Sequence, residues 1–299
     1  MSTVTLTVPG PTAELEIVDL PLVTPGPGEV RIRVEAAPVT PADVSTVRGY
    51  FPLPPADRYS LGWGLAGVVD EVGDGVTDLA AGDPVLALSD WFDTLVGTQA
   101  SSVVLPRSSV GERPASLGAA EASTLALNAL TAAQALDLLD LPVGATLAVT
   151  GAAGGVGGFV VELARHRGLE VLAVAREEDR AFVERTGARL VVRGTELGTL
   201  RADGVLDSAV LGAPALAAVR DGGTFVAVTE PSTPAPERDI RVQTVHVVSD
   251  AAALTALAAL AVDGVLTPRV AQTYPIEKAS DAYAAVATGG VRGGIVLVP

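Results

Sequence analysis

Residues 150–158 read Thr150-Gly151-Ala152-Ala153-Gly154-Gly155-Val156-Gly157-Gly158. A short apolar run, Thr146 to Thr150, precedes them with strand character. A helical pattern from Val156 to Arg167, closed by Gly168, follows them. Strand, glycine turn and helix in that order form the context of a dinucleotide-binding fingerprint. Gly154 lets backbone approach a pyrophosphate, and Gly157 lets helix and strand pack closely. The helix starting at Gly155 or Val156 offers unpaired N–H groups and the positive end of its dipole to phosphate oxygens. The first glycine of the usual G-x-G-x-x-G is Ala152 here. The alternative reading is a glycine-rich turn that binds nothing.

The next strand selects the cofactor. An NAD site places Asp or Glu about 20 residues beyond the glycines, on the ribose hydroxyls. This strand ends Val174-Ala175-Arg176, with Arg180 one helical turn on. A guanidinium there pairs with a 2′-phosphate, which favours NADPH over NADH. Glu177 and Glu178 compete for the ribose, and a solvated surface charge is the plain alternative for Arg176.

Outward from the turn, strand and helix signals alternate. Glu170–Ala175 reads as a strand and Glu178–Thr186 as a charged helix, with further strands at Leu190–Val192, Val205–Val210, Thr224–Val228 and Val245–Val248. Alternation of this kind builds βαβ units and a parallel sheet. Ala and Leu dominate Glu121–Leu141, which reads as one or two helices. The first 120 residues differ. Val30, Ile32 and Val34 alternate with charged residues, and strands at Leu65–Val72 and Val85–Leu88 are set off by Gly and Pro, as in a small antiparallel barrel.

Composition removes whole classes of function. The net charge of −15 opposes nucleic acid binding, which needs clustered Lys and Arg. Cysteine is absent, so disulfides, thiolate nucleophiles and Cys-based zinc sites are excluded. His166 and His246 are the only imidazoles, too few for a His-rich metal site. Neither a G-x-S-x-G elbow nor a Walker pattern occurs. MSTVTLTVPG lacks signal-peptide design and no apolar stretch reaches a membrane span, so a cytoplasmic protein without membrane contact is expected.

The blocks Pro25-Gly26-Pro27-Gly28-Glu29-Val30, Ala66-Gly67-Val68-Val69-Asp70-Glu71-Val72-Gly73 and Gly82-Asp83-Pro84-Val85 lie in one order with Ala129-Leu130-Thr131-Ala132-Ala133-Gln134-Ala135-Leu136, the glycine turn and Val291-Arg292-Gly293-Gly294-Ile295-Val296-Leu297. Together they resemble the zinc-independent, zeta-crystallin-like quinone oxidoreductases of the medium-chain dehydrogenase/reductase superfamily. The resemblance implies an α/β architecture: a GroES-like β-barrel domain from residues 1–121 and 268–299, and a Rossmann doubly wound parallel sheet from residues 122–267. It implies an active site in the cleft between them and hydride transfer from NADPH to a quinone or α,β-unsaturated carbonyl without a metal. It also implies a homodimer joined at Rossmann sheet edges, for which Thr244–Ser249 is the expected edge strand.

Site residues follow from the same resemblance. Thr131 falls beside the nicotinamide, with Gly154, Gly155, Val156, Gly157, Arg176 and Arg180 holding the rest of the cofactor. Thr40, Ser45, Tyr50 and Trp63 are the substrate-side candidates, and Tyr50 is the best candidate for catalysis, its hydroxyl donating to a carbonyl oxygen. Thr40 and Ser45 have the alternative of capping a turn, and Tyr50 of packing. Trp91 and Phe92 join Trp63 as walls for an aromatic substrate, with core packing as the alternative. Relatives commonly carry Asn at Thr40, a bulkier residue at Ser45, Asp at Gly64 and Lys at Gly294. These departures leave open a biosynthetic enoyl reductase or reductive cyclase of a polyketide-like intermediate, or a non-catalytic NADPH-binding sensor.

Overall fold

The computed structural model describes residues 1–6 and 14–299, so part of the N-terminal stretch read above for a leader lies outside the described residues. The chain divides into two compact units, Met1–Leu127 with Val248–Gly264 and Pro268–Pro299, and Asn128–Val247 with Val265–Thr267.

The second unit is a six-stranded parallel sheet of β1 (Thr146–Thr150), β2 (Glu170–Ala175), β3 (Arg189–Val192), β4 (Ala202–Asp207), β5 (Val219–Ala227) and β6 (Arg241–Thr244). The spatial order is β3-β2-β1-β4-β5-β6, that of the doubly wound dinucleotide-binding fold. Thr150 at the end of β1 is in register with Val174 of β2 on one side and Asp207 of β4 on the other. Successive strands are added to one side of β1 and then to the other, and such a switch point in strand order opens the crevice where ligands of these folds bind. The strands read as nearly continuous apolar runs because they are buried on both faces; Leu147, Val149, Val205, Leu206, Phe225 and Val226 are all buried.

The first unit is antiparallel for the most part. Its larger sheet runs in the order Val270–Pro275, Gly294–Val298, Glu29–Val39, Gly64–Val72, Pro84–Leu88 and Val110–Glu112, with Ser102–Pro106 also paired to Glu29–Val39. Val30, Ile32 and Val34 all point into its core, as their alternation with charged residues requires. Ser2–Leu6 sits between Leu15–Asp19 and Tyr59–Ser60 in a small second sheet. Among the described residues, no helix is long and apolar enough to cross a membrane.

Two elements differ from the sequence expectation. The strand expected at Val245–Val248 forms at Arg241–Thr244 instead. Val245 N still bonds Ala227 O at 2.9 Å, but beyond it the chain is drawn to Asp90, whose carboxylate accepts from Ser249 N (2.8 Å) and Ser249 Oγ (2.7 Å). His246 is therefore not a strand residue; its exposed ring lies 3.0 Å from Glu230 Oε1. The helix Ala251–Val262 that follows is capped by Asp250 and packs on Val110–Glu112, with Glu112 N donating to Thr255 Oγ1 at 2.9 Å. Val248–Gly264 thus belongs to the first unit, where the sequence suggested a continuous second domain to residue 267. The region Glu121–Leu141 is one helix, Ala119–Leu139, and the boundary between units falls within it.

Candidate functional site

The glycine turn joins β1 to the helix Gly155–His166. Gly151, and not the residue at the usual first-glycine position, takes the left-handed conformation (φ 61°). That conformation is strained for a residue with a Cβ, and Ala152 is spared it. Ala152 instead turns inward, fully buried, with its N–H on Val174 O at 3.2 Å. At Gly157 a Cβ would overlap the Gly151 carbonyl and lie 2.6 Å from Ser208 Oγ, so the close packing expected of this glycine is present. At Gly154 a Cβ would meet only Gly151 O, at 3.0 Å.

Gly154 is the N-cap of the helix and has no side chain of its own to occupy the first-turn N–H groups. The N–H groups of Gly155, Val156 and Gly157 lie in the first turn, where a helix has no internal acceptors to offer. A helix start built of small residues fits a pyrophosphate: first-turn amides, a favourable dipole and glycines that let the phosphate approach. Sequence reading missed Asn128. It sits one helical turn before the buried Thr131 on Ala119–Leu139, and a Cβ at Gly155 would lie 3.1 Å from its Nδ2.

Arg176 follows β2 as the N-cap of a short turn, Glu177–Asp179. Its Nη1 is 3.0 Å from Glu178 Oε1. Arg180 is more fully engaged: Nε and Nη2 both bond Glu177 (2.6 and 2.9 Å), Nη1 bonds Glu184 (2.9 Å), and these carboxylates raise its pKa. Of the two arginines, Arg176 has one exposed contact to exchange for a phosphate, whereas Arg180 has three to give up.

The substrate-side candidates lie in the first unit. Thr40 is buried and caps the helix Pro41–Val47: its hydroxyl donates to Asp43 Oδ2 at 2.7 Å and its N–H does so at 2.8 Å. The turn-capping alternative therefore describes Thr40. Ser45 is half-buried, and its carbonyl accepts from Tyr50 N at 3.0 Å. Tyr50 is 68% exposed. Asp43 received no weight from the sequence, although Thr40-Pro41-Ala42-Asp43 carries capping-box spacing. Burial pushes its carboxyl up to about 6, with the Thr40 bonds offsetting part of that cost. Glu35 accepts from Arg113 Nη2 at 2.9 Å.

Trp63, Trp91 and Phe92 do come together. Ring centroids are 5.3 Å apart for Trp63–Trp91, 4.7 Å for Trp63–Phe92 and 5.8 Å for Trp91–Phe92, and Phe51 joins Phe92 edge-on at 5.0 Å. Trp91 is buried with its Nε1 on Ser60 O at 2.7 Å, whereas Phe92 is 51% exposed. The buried indoles thus form the base of an aromatic wall whose outer ring meets solvent.

Two family departures have a packing cause. A Cβ at Gly64 would lie 2.9 Å from Ala126 Cβ, and one at Gly294 would lie 2.7 Å from Thr124 Cγ2. Both glycines let the start of Ala119–Leu139 rest directly on the sheet; a side chain at 64 would push on Ala126 of that helix, and one at 294 would require the Thr124 side chain to give way. Their loss of polar groups accordingly tells of helix packing and is not by itself a sign of lost chemistry.

Comparison with known proteins agrees with this geometry. Residues 26–115 match the alcohol dehydrogenase GroES-like domain family, and residues 183–297 match a family described as zinc-binding dehydrogenase. The zinc of that description is not fitted by the donors here: the chain has no cysteine, and no group of three or more His, Asp or Glu side chains among the described residues could hold a metal. The pikromycin polyketide synthase component PikAII of Streptomyces venezuelae is 40% identical over 151 residues, 50% of this chain but 4% of that one. A chloroplast envelope quinone oxidoreductase homolog of Arabidopsis thaliana is 35% identical over 196 residues, 60% of this chain and 56% of its own length. The chloroplastic NADPH-dependent alkenal/one oxidoreductase of the same plant is 29% identical over 91% of this chain and 72% of its own. In fold, the chain superposes on the quinone oxidoreductase of Coxiella burnetii with a TM-score of 0.88, at 23% identity and over 100% of this chain and 99% of that one. Two family matches in order, a sheet wound β3-β2-β1-β4-β5-β6 and a glycine turn at its switch point lead to one assignment: the chain belongs to the medium-chain dehydrogenase/reductase superfamily of oxidoreductases.

Proposed function

We propose that this chain is a zinc-independent, NADPH-dependent reductase whose acceptor is a quinone or an α,β-unsaturated carbonyl. The observation that carries the proposal is the glycine-lined start of Gly155–His166 at the switch point of the sheet, with Arg176 at the end of β2. When bound, the dihydronicotinamide supplies the hydride. The amides of Gly155, Val156 and Gly157 would hold the pyrophosphate, with Asn128 beside that turn and Thr131 one helical turn on from it, and Arg176 would exchange Glu178 for the 2′-phosphate. An enone accepts hydride at its β-carbon, the electron pair moves to the carbonyl oxygen, and a proton from water completes reduction. The Tyr50 hydroxyl donates to that oxygen as charge develops, while Trp63 and Phe92 position the acceptor. Relatives named for quinones and for alkenals or alkenones support this acceptor class.

The test is consumption of NADPH and NADH by the purified chain with benzoquinone, naphthoquinone and a 2-alkenal, alongside direct binding of each nucleotide. Turnover preferring NADPH is expected. Arg176→Ala should weaken NADPH about tenfold, the worth of one charge-assisted hydrogen bond, and NADH hardly at all. Equal losses would return Arg176 to the role of a surface charge, and binding of neither nucleotide would end the proposal.

The polyketide synthase match, at 40% identity over half the chain, favours a second reading in which the acceptor is an enoyl thioester of a polyketide-like intermediate. Faster reduction of an enoyl thioester than of any quinone would select it. We further propose a homodimer paired through the outer edge of β6, the last strand of its sheet. Light scattering should give twice the chain mass of 30.1 kDa, and a monomer would rule the pairing out.

A further inference from the structure

Asp90 opens the four-residue helix Trp91–Thr94, which carries two rings of the aromatic wall. An aspartate at a helix N-cap ordinarily turns its carboxylate onto the N–H groups of its own first turn. The Asp90 side chain makes no such bond. Its two oxygens accept instead from Ser249 N (2.8 Å) and Ser249 Oγ (2.7 Å), 159 residues further along the chain. Ser249 Oγ also lies 2.8 Å from the hydroxyl of the buried Ser109. A carboxylate only accepts, so Ser249 gives its proton to Asp90 and Ser109 donates to Ser249. The carboxylate thus does nothing for its own helix and serves to fix where that helix lies.

The helix needs such fixing. A single turn is not stable alone, and Phe92, its second residue, is 51% exposed. Among the described residues, two hydrogen-bonding side chains tie Trp91–Thr94 and its cap to other elements: the Trp91 indole on Ser60 O at 2.7 Å, and Asp90 on Ser249. The first holds the buried base of the wall. One anchor leaves the turn free to swing about it; the second sets the swing, and with it the place of the Phe92 ring against Trp63 and Phe51. A flat fused-ring acceptor meets several of these rings at once, whereas a slender alkenal touches few.

We propose that Asp90 is the positioning residue for Phe92, and that its hold on Ser249 sets a preference for a flat fused-ring quinone over a slender alkenal. This inference rests on the acceptor reading given above and narrows it to one kind of acceptor.

Trp63 and Trp91 are the only tryptophans of the chain, so intrinsic fluorescence reports on this wall alone. The experiment compares wild type with Asp90→Ala, Asp90→Asn and Ser249→Ala. It measures saturable fluorescence quenching by naphthoquinone, NADPH-dependent kinetics with naphthoquinone and with a 2-alkenal, NADPH affinity and Tm. Asp90→Ala should raise the naphthoquinone Kd and KM about tenfold and leave kcat, the alkenal KM and NADPH affinity within about twofold. Asp90→Asn should recover most of the loss, because its amide oxygen accepts from Ser249 N and its Nδ2 donates to Ser249 Oγ. Ser249→Ala keeps the bond from its backbone N–H and should fall between them. Equal losses for both acceptors, a change in Tm alone, or Asp90→Asn no better than Asp90→Ala would overturn the proposal. If Asp90→Ala does not fold, a naphthoquinone affinity unchanged in Ser249→Ala overturns it equally. A wild type that consumes no NADPH with either acceptor would end the proposed function. Quenching would still decide the role of Asp90, a tenfold rise in Kd supporting it and an unchanged Kd overturning it. No saturable quenching of wild type would remove the wall as an acceptor site and this inference with it.

Discussion

Gly157→Ala is expected to cost the protein both stability and cofactor. The added Cβ would overlap the Gly151 carbonyl and sit 2.6 Å from Ser208 Oγ, and its nearest neighbour is backbone that cannot swing aside. Opening this contact moves the helix start away from the end of β1. Overpacking of this kind costs about 1–3 kcal/mol, and the same shift misaligns the amides meant for the pyrophosphate. Thermal unfolding should show a Tm several degrees lower, and calorimetry a loss of NADPH affinity of about tenfold or more. Gly154→Ala is the contrasting variant, because its Cβ meets only Gly151 O at 3.0 Å. It should unfold nearly as wild type does yet bind NADPH poorly, because the methyl group would stand where the proposed pyrophosphate approaches. Wild-type stability and binding in Gly157→Ala would contradict the close contact.

Stability is expected to fall as pH rises from about 4 to about 6 because of Asp43. Its carboxyl is buried, and Oδ1 has no hydrogen-bond partner among the described residues. Nearby, the buried Tyr283 hydroxyl donates to Gln99 Oε1 at 2.8 Å, and burial together with the Asp43 charge raises its pKa. Burial holds the Asp43 pKa at about 6 in the folded chain, above the ordinary 3.8. Within that window the unfolded chain has released the proton while the folded chain retains it. Unfolding therefore becomes easier as pH rises, by on the order of 3 kcal/mol in total, and levels off above the folded pKa. Asp43→Asn remains neutral and lacks this slope. Urea unfolding of both proteins across the window should show the variant gaining on wild type as pH increases. Parallel profiles would mean that Asp43 does not titrate there.

Much of the second unit was legible because its signals are local. The run Thr146–Thr150, the glycines and the helix behind them lie within about twenty residues, and Arg176 ends the next strand. The choice between Gly151 and Ala152 was less legible. A pattern tells which residues are glycine, whereas the backbone that needs positive φ depends on how the chain leaves β1. Val245–Val248 has strand composition yet forms none, because Ser249 is claimed by Asp90, far away in sequence. The three aromatics singled out in sequence do meet, but Phe51 joins them through tertiary packing alone. Asp43 carried a visible capping-box signal, but its burial did not show.

By itself, the sequence determined the order of strand, glycine turn and helix, the parallel and antiparallel halves, and the absence of thiol chemistry. Hydrophobic period, turn residues and composition act over one or two elements, and neighbours along the chain suffice to reveal them. Only the tertiary structure decided that Gly64 and Gly294 are spacers beneath one helix, that Val248–Gly264 belongs to the first unit, and that Asp207 fastens Leu211 and Gly212. Those features arise where residues far apart in sequence compete for the same few ångströms, and no local pattern records which of them yields.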